Sequence, residues 1–247
     1  MEDIKLKPNK EDRVQVMPIG DIHYGAPTCD EELLKEKIQQ CLQKKIYVIG
    51  MGDMLESGLR DSVGDSVYSQ VSNPQVQHDK IYTLFEPLAD AGLLIGFLLG
   101  NHEERIIKAT SFDPIKSLSK LLNVPYLGYG CFLRFLVDTQ KYTVYATHGS
   151  ISAATPYGKI QGAAKIANFI NADLILYAHT HGLEHTITLK LGLQGNKEVE
   201  TKTHTVLTGS FLKYQGSYAE HKNLMPGRIG TPLISFYGNK HEIFVSL

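Results

Sequence analysis

Five times along this chain a short run of apolar or strand-forming residues breaks off and is followed at once by acid, amide or histidine side chains. Val14 to Ile19 leads to Asp21-Ile22-His23, Ile46 to Ile49 leads to Gly52-Asp53, and Leu93 to Leu99 leads to Gly100-Asn101-His102-Glu103. Lys141 to Ala146 leads to His148-Gly149, and Leu174 to Tyr177 leads to His179-Thr180-His181. Runs of this length bounded by turn residues have the size of buried strands. Open parallel sheets place their binding chemistry beyond the carboxyl ends of such strands. The pattern therefore restricts the chain to an α/β layout with one polar site gathered from strand ends.

The segments between the runs carry helical spacing. Thr28 or Asp30 is positioned to cap a helix whose buried stripe is Leu34, Ile38, Cys41 and Leu42, with Glu31-Glu32 and Lys44-Lys45 matching its dipole. Strand, helix and strand in this order are the signature of a parallel βαβ unit. Ile81, Leu84, Phe85, Leu88 and Ala89 predict another helix, which Pro87 is expected to kink or shorten. Asp113-Pro114 opens a third, with Ile115, Leu118, Leu121 and Leu122 on one face and a stop at Asn123-Val124-Pro125. Phe132 to Val137 pairs with Lys141 to Ala146 around residues 138–140, and a helix follows from about Lys159 on Ile160, Ala163, Ala164, Ala167 and Ile170. Glu184 to Leu191, Glu198 to Leu207 and Leu233 to Leu247 predict an antiparallel finish. Leu55 to Gln77 has no apolar period and reads as a long inserted loop beside the site. No repeat, linker or low-complexity tract divides the chain, so a single domain over residues 1–247 is expected.

Composition matters mainly for what it excludes. With 43% hydrophobic and 21% charged residues the chain is not disordered. A net charge of -1 supplies no bulk attraction for polyanions, so a nucleic acid would have to be gripped locally. Cys29, Cys41 and Cys131 show no C-x-x-C spacing, which argues against a disulfide framework or zinc knuckle and for a reducing compartment. Met1 to Arg13 has no apolar leader core, and Ala91 to Leu99 is far short of the roughly 20 residues that span a bilayer. A cytoplasmic protein with no membrane partner is the expectation.

In an extended segment, residues two apart point to one side, so Asp21 with His23, and His179 with His181, form two pairs. Mixed carboxylate, imidazole and amide ligands suit Mn²⁺, Fe or Zn²⁺ better than Ca²⁺ or an iron-sulfur cluster. Asp21, His23, Asp53, Asn101, His148, His179 and His181 are together more ligands than one ion draws from protein. Singly, each is more often a turn or surface residue; the weight lies in five blocks that each follow a strand. Gly50-Met51-Gly52 lacks the third glycine of a dinucleotide fingerprint, and neither G-x-S-x-G nor a P-loop occurs.

In content and order the five blocks resemble the signature blocks of the calcineurin-like metallophosphoesterases, with some likeness to the family's DNA-repair nucleases. The resemblance implies a four-layer αββα sandwich of two mixed sheets flanked by helices. It implies two divalent ions, Mn²⁺ first with Fe or Zn²⁺ as alternatives, that share Asp53. Asp21, His23, Asp53 and His181 would hold one, and Asp53, Asn101, His148 and His179 the other. His102 would protonate the leaving oxygen or contact the phosphate, with Glu103 orienting it. Two departures stand out: Glu56 replaces the aspartate of Gly-Asp-x-x-Asp, and Ala178 replaces the glycine before His179. The implied activity is hydrolysis of a phosphate ester by a water held between the ions. A phosphodiesterase acting on nucleic acid or nucleotides is expected first, with a phosphomonoesterase second and a non-catalytic binding scaffold third. Within residues 1–247 no counterpart of the nucleases' extra DNA-capping region is expected. Arg60, Arg105, Lys159, Lys213 and Arg228 are candidate phosphate grips, each read first as surface charge, and Arg105 is the strongest of them.

Overall fold

The computed structural model describes residues 3–8, 12–60 and 66–247. The chain runs β1 (Asp3–Leu6), β2 (Arg13–Ile19), α1 (Glu31–Lys44), β3 (Tyr47–Gly50), α2 (Ser66–Ser69), α3 (Pro74–Asp90), β4 (Leu94–Leu98) and α4 (Asn101–Thr110). It continues with α5 (Pro114–Leu121), β5 (Tyr126–Gly128), β6 (Gly130–Val137), β7 (Gln140–Thr147), α6 (Pro156–Ala164), a 3-10 turn (Lys165–Asn168) and β8 (Leu174–Tyr177). A hairpin of β9 (His185–Gln194) and β10 (Lys197–Leu207), then α7 (Tyr218–His221), β11 (Leu233–Tyr237) and β12 (Ile243–Ser246), complete it.

The described strands form two mixed sheets, ordered β12-β11-β2-β3-β4-β5 and β1-β6-β7-β8-β10-β9. In the first, β2 to β5 run parallel and β11 and β12 close the edge antiparallel. Val16, Ile49 and Leu98 of this sheet meet Phe135, Val144 and Leu176 of the other in a dry layer between them. On the outer face of the first sheet, Leu34 of α1, Phe85 of α3 and Ile115 of α5 pack with Val48 and Phe97. On the outer face of the second, Ala163 packs with Tyr177, and Ala167 with Ile175. Helices, sheet, sheet and helix are thus stacked in four layers, as expected.

Local chemistry explains most boundaries. Asp30 caps α1 by accepting the Leu33 N–H at 3.2 Å, and Lys45 ends the helix in the left-handed region. Asn73 caps α3 through the Val76 N–H, with Pro74 in the first turn, so the last part of the expected loop is helix. Pro87 does not end α3, which continues to Asp90; near the C-terminal turn a proline removes one backbone bond without stopping the helix. Of the Leu55 to Gln77 excursion, residues 61–65 lie outside the described residues, and α2 is a single turn.

Several elements differ from the sequence expectation, among them short α2, α7 and β5, which no local pattern announces. The polar lead-in contains β1, which pairs parallel with β6 and buries only Leu6 fully. Asn101 to Thr110 forms α4, which buries only Glu103 and Ile106 and so carries little apolar stripe. The finish is not wholly antiparallel, because β10, after turning back from β9, pairs parallel with β8 along its last residues. Among the described residues no helix is long and apolar enough to cross a membrane.

Tyr142, fully buried on β7, ties the two sheets at the end away from the strand tips that carry the polar blocks. Its ring meets Phe236 edge-on at 5.0 Å, and its hydroxyl lies 2.7 Å from the Tyr237 carbonyl while accepting the Glu242 N–H at 3.0 Å. Tyr142→Phe should lower the unfolding free energy by about 1–2 kcal/mol, read as a fall in the urea midpoint at constant slope. An unchanged midpoint would show that the hydroxyl contributes nothing net.

Candidate metal centre

The parallel register sets the loops after β2, β3 and β4 side by side. The Asp21 N–H donates to the Gly52 carbonyl at 3.0 Å, and the Ile22 and His23 N–H groups both reach the Asp53 carbonyl at 2.9 and 3.0 Å. Behind them the loops touch backbone to backbone: a Cβ added to Gly100 would sit 2.1 Å from the Asp53 nitrogen. Only glycine permits that approach.

Asp21, His23, Asp53, His179 and His181 all have left-handed backbone, with φ of 46°, 49°, 49°, 65° and 53°. For residues with a Cβ this conformation costs about 1–2 kcal/mol each, and such strain collects at functional sites. It corrects the expectation of extended segments. Asp21 and His23 do converge, through left-handed turns on either side of Ile22, whereas His179 and His181, on either side of Thr180, enter different ligand groups.

The seven candidate ligand residues meet in two groups joined by Asp53. In the first, His181 Nε2 lies 3.5 Å from Asp21 Oδ1 and 3.2 Å from His23 Nε2, which is 3.8 Å from Asp53 Oδ2. In the second, His148 Nε2 lies 3.3 Å from Asp53 Oδ2 and 3.1 Å from Asn101 Oδ1, which is 2.8 Å from His179 Nδ1. Ligands about 2.1 Å from a tetrahedral cation stand about 3.4 Å apart, so both groups suit a divalent ion. Asp21 Oδ1 is buried with no hydrogen-bond partner among the described residues, a costly arrangement that a cation would relieve. Two imidazoles are aimed by their outer nitrogens: His148 Nδ1 is 2.9 Å from the Met51 carbonyl and His23 Nδ1 is 3.2 Å from Glu56 Oε2. Glu56, the departure from the family pattern, therefore contacts His23 directly.

Glu103 does not orient His102. Fully buried, its carboxylate accepts the N–H groups of Asp53 at 3.1 Å, Gly100 at 3.2 Å and Leu55 at 2.8 Å, so it builds the loop that carries Asp53. A side chain three residues into α4 points back over the helix start, where these donors lie. His102 is held instead by the Glu56 carbonyl, 2.7 Å from Nδ1, and by Arg105, whose Nη2 is 2.9 Å from Nε2. An Nδ1–H donated to the carbonyl leaves Nε2 as the acceptor for Arg105. The sequence hinted at this pair through its three-residue spacing, but not at the Glu56 carbonyl.

Charge in the centre is unevenly shared. Burial pushes the Asp21 carboxyl up to about 7, and burial with the Asp53 charge does the same for Glu103. Burial also acts to raise Asp53, yet His148 and His102 outweigh it and hold Asp53 well below the usual carboxylate range. Burial opposes charge on His148, but Asp53 prevails and lifts the imidazolium to about 10. Burial and the neighbouring His23 hold His102 down to about 4. At neutral pH, His148 is thus protonated and His102 neutral.

The remaining candidates separate by position. Arg105 engages His102; Lys213 pairs with Asp30 at 3.4 Å, and Arg60 is exposed. Lys159 and Arg228 line one cleft together with His181. Ser150 is a loop residue whose N–H donates to the Tyr177 hydroxyl at 2.7 Å.

No protein-family model matches this chain, and no curated protein matches it. Similar solved structures include an uncharacterized protein of Streptococcus pneumoniae described as a predicted phosphoesterase, at 13% identity and a TM-score of 0.41, covering 95% of this chain and 98% of that one. Another is a metallophosphoesterase of Sphaerobacter thermophilus, at 13% identity and a TM-score of 0.44, covering 94% and 87%.

A cation that takes His148 Nε2 must displace its proton, since the folded-state value near 10 keeps it charged at pH 7.5. Titrating Mn²⁺ into the protein by calorimetry at that pH should give heats that differ between PIPES and Tris in proportion to proton release. Equal heats in both buffers would contradict this. Asp53→Asn, which removes the carboxylate common to both groups, should weaken Mn²⁺ binding at least about tenfold in equilibrium dialysis.

Proposed function

We propose that this protein is a divalent-metal-dependent phosphoesterase, and that its substrates are phosphodiesters of nucleic acid or nucleotides. The observation that carries the reading is Asp53, whose Oδ2 faces His23 of one ligand group and His148 of the other. Asp21, His23, Asp53 and His181 would hold one ion, and Asp53, Asn101, His148 and His179 the second, Mn²⁺ in preference to Fe or Zn²⁺. When bound, such ions neutralise phosphate oxygens and make water a nucleophile at neutral pH.

The chain's own groups supply the rest. His102 stands beside the centre, its Nε2 4.0 Å from Asp53 Oδ2. Arg105 carries a fixed charge whose fork matches phosphate oxygens. A phosphate entering the centre draws the guanidinium away from His102, and Nε2, unprotonated at rest, is then free to take a proton from solvent and pass it to the departing oxygen. The Glu56 carbonyl keeps the ring in that orientation throughout. The free cysteines fit a reducing, cytoplasmic setting for this work.

The test is hydrolysis of bis-p-nitrophenyl phosphate beside p-nitrophenyl phosphate with Mn²⁺, and with EDTA as control. Faster cleavage of the diester, abolished by EDTA, is the expected result; faster cleavage of the monoester would make the protein a phosphomonoesterase. Inactivity of metal-bound protein on both would overturn hydrolysis of simple esters. His102→Ala should keep its metal and lose at least about a hundredfold in kcat. Wild-type turnover in that variant would remove His102 from the chemistry.

A further inference from the structure

Beside the centre, on the His181 side, a cleft of about 300 Å³ opens between the start of α6 and the loop before β11. That volume lies at the lower end for small-molecule sites and suits one compact group. The cleft is lined by Lys159, His181, Glu184, Met225 and Arg228. Its walls are continuous with the centre. A Cβ on Gly182 would lie 3.6 Å from Lys159 Cδ, and one on Gly227 would lie 3.7 Å from the His181 carbonyl oxygen. The Lys159 stem therefore crosses the residue next to His181, and the loop bearing Arg228 rests against the same turn.

Both cations lack a counter-charge at contact distance. Lys213, from the same set of candidates, is neutralised by Asp30, and Arg105 is held on His102. Among the described residues neither the Lys159 ammonium nor the Arg228 guanidinium forms a salt bridge. Asp21 and Glu184 act on Lys159 only through space. Two cations without a salt bridge on the walls of one cleft beside an anion-processing centre favour a second anion.

We infer that this cleft, resting on the phosphoesterase reading of the adjacent centre, binds a second phosphate of the substrate through Lys159 and Arg228. The substrate class is then a nucleotide or oligonucleotide in which a non-reacting phosphate stands one sugar away from the reacting one. Pro156, Met225 and Leu247 give the cleft an apolar wall for the intervening sugar. Glu184 limits the charge the cleft accepts.

Calorimetry on the Mn²⁺-loaded protein tests the subsite by binding alone. Thymidine 3′,5′-bisphosphate should bind about tenfold tighter than thymidine 5′-monophosphate to the wild type. In the Lys159→Met/Arg228→Met double variant, matched to wild type in thermal melting, that ratio should fall to within about twofold, whereas Glu184→Gln should raise it. Equal affinities in the wild type, or a ratio unchanged in the double variant, would overturn the inference. Because no turnover is read, the outcomes separate: a tenfold ratio in a protein inactive on every ester refutes the reading above and keeps the anion subsite. Ester hydrolysis with a ratio of one does the reverse.

Discussion

The arrangement of this site depends on the buried carboxylate of Glu103. It receives N–H groups from Asp53, Leu55 and Gly100, so one side chain at the start of α4 joins the loop after β3 to the loop after β4. Each such hydrogen bond contributes about 0.5–1.5 kcal/mol, and more in the fraction of molecules in which Glu103 is ionised. The left-handed backbone of Asp53 costs about 1–2 kcal/mol, so these bonds are strong enough to hold it. Asp53 in turn presents one carboxylate oxygen to both ligand groups and its other, Oδ1, to the His102 N–H at 2.8 Å. The candidate ligand groups and the adjacent histidine are thereby positioned by the same short stretch of chain.

Burial sets the electrostatics of the centre. Three carboxyl groups, Asp21, Asp53 and Glu103, and several imidazoles lie close together in a region shielded from water, where unlike charges couple strongly and isolated ones are costly. Asp53 stays ionised because His148 carries a proton beside it, and Asp21 is driven toward neutrality because burial dominates there. Divalent metal bound by these groups would resolve both conditions at once, by replacing the proton on His148 and by ionising Asp21. Metal affinity and proton release are thus two readings of one equilibrium.

Around this rigid floor the walls come from less regular segments. The cleft beside His181 is formed by the first turn of α6 and by the loop that precedes β11, neither of which contributes to the dry layer between the sheets. Separation of floor from walls has a physical rationale. Ligand loops locked by backbone contacts keep fixed distances to a metal, while side chains on outer loops can differ in charge without disturbing the packing beneath.

Much of this was legible along the chain. Apolar runs cut short by Gly20, Gly50 and Gly100 marked strand ends, and the acid, amide and histidine residues beyond them marked where polar chemistry would gather. Both are local signals, carried by residue type and spacing. What remained hidden was non-local. Polar β1 becomes a strand only because β6 offers an edge, and α4 buries too little apolar surface to announce itself. Glu103 stands next to His102 in sequence, yet the direction of a helix side chain turns it toward Asp53, and no spacing rule reveals that three N–H groups wait there. Likewise, of the five candidate cations only Arg105 stood out on paper, by its spacing from His102, until the fold paired Lys213 with Asp30, set Arg105 on His102, and brought Lys159 and Arg228 to one cleft. Which residues can bind a metal follows from their side-chain chemistry. Which of them meet, in what protonation state and beside which free charge, is decided by tertiary packing, because distance and burial exist only in the folded chain.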